Sequence, residues 1–63
     1  ERAAMFREEF NAAQNELRTA GPRLARLLVA EPDAEIVSAA DEVVNALYRL
    51  RGAAFHLQEE RAA

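Results

Sequence analysis

The sequence predicts an all-α protein, an antiparallel two-helix hairpin with coiled-coil-like heptad packing that dimerises into a four-helix bundle. Three observations carry that expectation. Fifteen of the 63 residues are Ala, against two Gly and two Pro, and Ala, Leu, Arg, Glu and Gln are the strongest helix formers. Apolar residues recur at alternating spacings of 3 and 4 over two long stretches, the period of a helix buried along one face. A single polar break, Glu31-Pro32-Asp33, separates the two stretches.

The first stretch predicts helix one over about residues 2–30. Its seam is Ala3, Phe6, Phe10, Ala13, Leu17, Ala20, Leu24 and Leu27, almost four heptads. Gly21-Pro22 interrupts it. Pro22 forfeits the bond to the Arg18 carbonyl, a cost of roughly 3 kcal/mol in a helix interior, so a break into shorter helices is one reading. The seam passes through in phase, however, and Gly21 has no side chain to meet the proline ring, which favours one helix kinked there.

The turn is expected at about 31–33. Proline disfavours a helix arriving from its N-terminal side. Asp33 can then cap the next helix, with Glu35 adding negative charge at its positive end. Alternatively, Glu31 is the cap and Pro32 takes the first helical position. Helix two is expected over about 34–61, with a seam of Ile36, Ala40, Val43, Leu47, Leu50, Ala54 and Leu57. Folding it back pairs residues whose numbers sum to about 63 or 64, and large side chains then mostly face small ones, as close packing prefers.

Helix two carries more apolar surface than one seam. Val37, Val44, Tyr48 and Phe55 form a flanking stripe, and Ala39, Ala46 and Ala53 repeat every seven residues on the other flank. One neighbouring helix covers only part of so wide a face. Each buried Val- or Phe-sized side chain contributes roughly 1.5–3 kcal/mol, so the stripe calls for a partner. A second copy is the simplest one, with the Ala flank letting two backbones approach. A different protein or an absent domain of the parent chain, or the stripe folded over Leu28 and Arg stems in a monomer, are the other readings. Arg51, between Tyr48 and Phe55, joins the expected interface, since Tyr and Arg are enriched in such patches.

Chemistry finds less support. His56 is the sole histidine; with Glu59 and Glu60 it makes a poor ligand set and is expected to be solvated. The pairs Glu8-Glu9, Asp41-Glu42 and Glu59-Glu60 read as solvated faces, and the Glu-x-x-His pattern of di-metal bundles is absent because Ala53 precedes His56 by three. Arg18, Arg23, Arg26, Arg49 and Arg51 suit bridges to Glu on the adjacent helix. Gly52 is either tolerated at about 1 kcal/mol or marks the approach of another chain.

With 11 acidic against 8 basic residues and a net charge of −3, no nucleic-acid partner is expected. The longest apolar run, Leu27-Leu28-Val29-Ala30, is far below the ~20 residues of a membrane span, so no insertion by this segment is expected. Cysteine is absent, which removes disulfides and thiolate zinc sites. No cofactor, metal or catalytic residue is expected. The chain, which opens on Glu1, is expected to be a cytoplasmic fragment of a larger protein, a non-catalytic homo-oligomerisation module. The alternatives are a regulatory hetero-partner binder of antitoxin-like or anti-factor-like kind using the same stripe and, in another class, a metal-binding or enzymatic bundle.

Overall fold

A computed structural model describes residues 2–29 and 31–62. It contains two helices, α1 (Arg2–Leu27) and α2 (Ala34–Ala62), packed against each other. The result is a rod of 48 × 14 × 14 Å. Its radius of gyration, 14.4 Å, exceeds the ~11 Å expected of a compact chain this long.

Local chemistry sets the ends of both helices. Asp33 is the cap of α2: its Oδ1 accepts the Glu35 amide at 3.0 Å and the Ile36 amide at 3.2 Å. Its carbonyl takes the Val37 amide at 3.3 Å. Two donors that every helix start leaves unpaired are thereby satisfied, and Pro32 lies outside the helix rather than at its first position. The last turn of α1 is tightened, because the Leu28 amide is shared between the carbonyls of Leu24 and Ala25 at 3.1 and 3.3 Å. Leu28 and Val29 then turn out of the helix. The expected end of helix one, residue 30, lies outside the described residues.

Gly21-Pro22 does not divide α1, which is continuous across it. Pro22 is exposed while Ala20 is buried and Leu17 and Leu24 are half-buried. The missing amide bond therefore falls on the watery side, where solvent can take up the Arg18 carbonyl, and the face toward α2 keeps its phase.

The core is built almost wholly of alanine. Among the described residues the buried ones are Ala13, Ala20, Ala39, Ala46 and Ala53, and no large side chain is fully enclosed. On α1 the expected seam is the buried face: all eight of its residues are buried or half-buried. On α2 the seam differs from the expectation. Ile36, Val43, Leu50 and Leu57 are half-buried as anticipated, but Ala39, Ala46 and Ala53 complete the face, while Leu47 and Ala54 are exposed and Ala40 stays half-buried.

Two ion pairs between the helices accompany this rotation of α2. Arg23 meets Glu42 at 2.6 Å, and the Arg49 guanidinium donates to Glu16. Residues 16 and 23, like 42 and 49, lie seven apart on one helical flank. Turning α2 toward Ala39, Ala46 and Ala53 brings the second flank alongside the first with opposite charges matched. The small side chains there let the backbones come close, so the Ala flank is used within the hairpin and not between copies. Both ion pairs also fix the antiparallel register within a residue or two of the expected pairing.

Candidate interaction surface

The candidate surface is the side of α2 turned away from α1. Helical spacing places Val37, Val44, Arg51 and Gln58 on one line, seven residues apart, with Asp41, Tyr48 and Phe55 on the adjacent line. The structure leaves this whole face uncovered. Tyr48 is 71% exposed, Val37 61%, Phe55 52% and Val44 46%, and Arg51 is exposed beside them. Leu47, which the spacing had assigned to the seam, is 46% exposed and borders the same face.

Val44, Leu47, Tyr48 and Arg51 line a shallow depression of about 200 Å³ at the middle of α2. The aliphatic stem of Arg51 can extend along such a surface with its guanidinium in water. Arg51 and Asp41 make no ion pair among the described residues. A helix with apolar residues on both its inner and outer faces is a buried helix by pattern, yet here the outer face meets only solvent.

His56 is not simply solvated. Its ring stacks on Phe6 with centroids 4.4 Å apart and planes 12° from parallel, and Phe55 approaches edge-on at 5.9 Å. Its Nδ1 lies 3.6 Å from Glu59 Oε1, both side chains being half-exposed or more. The imidazole is thus a lid over the Phe6 ring at the terminal end of the hairpin. Among the described residues no three His, Asp or Glu side chains come together as a metal site, and no polar or charged residue is buried.

A second depression, open and about 500 Å³, separates Phe10 from Ala54 and Leu57 near the same end, with Arg7, Glu60 and Arg61 at its rim. Its walls carry charges of both signs in free contact with water. Among the described residues, no helix is long and apolar enough to cross a membrane.

No family model, no curated protein and no solved structure matches the chain.

Of the residues singled out from sequence, Val37, Val44, Tyr48, Arg51 and Phe55 share one exposed face. Leu47 was missed as a member of it, and the Phe6–His56 stack was not anticipated at all. The signal for Leu47 was present: Ile36, Ala39, Val43, Ala46, Leu50, Ala53 and Leu57 also follow the alternation of 3 and 4. Preferring that series would have released Leu47 to the outer face.

Proposed function

We propose that this chain is a non-catalytic, cytoplasmic protein–protein interaction module that associates with a second copy of itself through Val37, Val44, Tyr48, Arg51 and Phe55. One observation carries the reading: among the described residues the buried ones are all alanine, while Val37, Val44, Leu47, Tyr48 and Phe55 of α2 stay exposed. Alanine contributes little transfer free energy per residue, and chains below about 70–80 residues seldom stand on one small core. Covering the α2 face supplies the missing burial.

The surface area agrees in size. A compact monomer of 7.0 kDa would expose about 4,000 Å², whereas this chain exposes 4890 Å². The excess is comparable to the ~800 Å² that each partner contributes to a standard interface. Closed two-fold dimers are the commonest oligomers, and two hairpins joined by α2 make a four-helix bundle with the α2 helices central. Within each hairpin, the seven-residue spacing of the buried alanines alongside half-buried Ile36, Val43, Leu50 and Leu57 supports coiled-coil-like packing.

The test is a mass measurement by light scattering on the wild type and on Tyr48→Glu. The wild type should scatter as a dimer, and Tyr48→Glu as a monomer at the same concentration, because a carboxylate buried at the centre of the face has no partner. Equal dimeric masses would remove Tyr48 from the interface. Two monomers would leave the face to a different protein.

A further inference from the structure

Resting on self-association through α2, we propose that the two copies dock α2 against α2 in antiparallel two-fold fashion, held in register by Asp41 of each copy against Arg51 of the other. The outer face of α2 is itself a complete series at alternating spacings of 4 and 3: Val37, Asp41, Val44, Tyr48, Arg51, Phe55 and Gln58. All seven are exposed. Two of them, Asp41 and Arg51, are the charges in an otherwise mostly apolar row, and they are of opposite sign.

Among the described residues, neither charge has a partner within its own chain. Side chains pair along a helix at three or four residues, and those positions around Arg51 hold Leu47, Tyr48, Ala54 and Phe55. Around Asp41 they hold Val37, Ser38, Val44 and Asn45. No ion pair reaches either residue among the described residues, in contrast to Glu16, Arg23, Glu42 and Arg49 on the inner flank.

An antiparallel copy resolves both at once. With the two-fold axis crossing α2 at the level of Ala46, Val37 of one copy faces Phe55 of the other, Val44 faces Tyr48, and Asp41 faces Arg51, each pair occurring twice. Along the border, Leu47 meets its own symmetry mate and Ala40 meets Ala54. Every small side chain in the row then faces a large one. A parallel dimer would set Asp41 on Asp41 and Arg51 on Arg51, placing like charges across a partly dry interface, and a hydrophobic contact alone has no means of rejecting that arrangement.

The direction of the two faces also fixes the shape. At 100° per residue, the centres of the inner and outer rows of α2 are about 140° apart. The α1 of one hairpin and the α2 of the second copy therefore lie on nearly opposite sides of α2. Four helices arranged this way form a flattened slab, α1–α2–α2–α1, in place of a square bundle.

The chain has no native cysteine, so introduced thiols report cleanly. Full-length Ala40→Cys and isotope-labelled Ala54→Cys chains are mixed, allowed to exchange, oxidised with glutathione disulfide, which is reduced to two glutathione thiols, and weighed by mass spectrometry. The mixed disulfide should dominate, since only the antiparallel register brings those two positions within bridging distance. Independently, D41R and R51D should each raise the dimer dissociation constant about tenfold or more at low salt, and the double exchange D41R/R51D should return it close to the wild-type value. Absence of the mixed disulfide, or a double exchange no better than the singles, overturns the antiparallel register while a dimeric wild-type mass keeps the self-association reading. A wild-type chain that stays monomeric overturns both.

Discussion

Asp33 holds two amides at the head of α2 with one carboxylate oxygen, and it does so from the connection just ahead of that helix. Replacing it with Ala should cost about 1 kcal/mol, within the 0.5–2 kcal/mol seen for lost caps, read as a lower midpoint in thermal unfolding followed by circular dichroism. The two glycines make a second test at this scale. A methyl group added at Gly52 or at Gly21 meets nothing within 4 Å in the space around the helix. Gly52→Ala should then gain up to about 1 kcal/mol of helix propensity, whereas Gly21→Ala should gain less, because the residue before a proline loses helical freedom once it carries a Cβ. A Gly52→Ala chain less stable than wild type would mean that another backbone lies against that position. The Asp33 cap was legible from residue type and its place after Pro32. The His56 stack was not, since which ring lies over Phe6 depends on the register between two helices and on no local signal.

The two helices are specified by different amounts of information. On α1 only one face is apolar, with Arg2, Glu9, Glu16 and Arg23 on one border and Arg7 and Gln14 on the other, so its buried face could be read directly. On α2 the apolar arc is wide enough to hold two overlapping seams, and periodicity alone cannot choose between them. The face that α2 buries is the one with Ala39, Ala46 and Ala53 at its centre and with Glu42 and Arg49 alongside Arg23 and Glu16, and both features are cross-helix terms. The alanine core makes a sharp prediction. Ala13→Leu should cost about 1–3 kcal/mol by forcing the helices apart, while Ala12→Leu, one residue away on the exposed side, should stay within about 0.5 kcal/mol of wild type. Thermal unfolding of the pair checks it, and equal effects would contradict the placement of Ala13 at a close approach. The Arg23–Glu42 and Arg49–Glu16 pairs are roughly half-exposed; removing either by an Ala substitution should cost no more than about 1 kcal/mol and less at high salt.

At the scale of the whole molecule the hairpin is a thin rod that buries little. Its extents are 48 × 14 × 14 Å, and among the described residues no Leu or Phe is fully enclosed and the five buried ones are alanines. That the apolar arc of α2 is wider than one neighbouring helix covers was visible in the sequence; how little the hairpin encloses was not, because it follows from which flank α1 occupies. If the second copy completes the core, folding and association are coupled, and the unfolding midpoint should rise with chain concentration. The most direct measurement of this account is sedimentation equilibrium of the wild-type chain over about a hundredfold range of concentration. The account predicts a mass approaching twice 7.0 kDa as concentration rises, with the helical signal rising in step. A well-folded helical species holding a mass of 7.0 kDa across the whole range would contradict it.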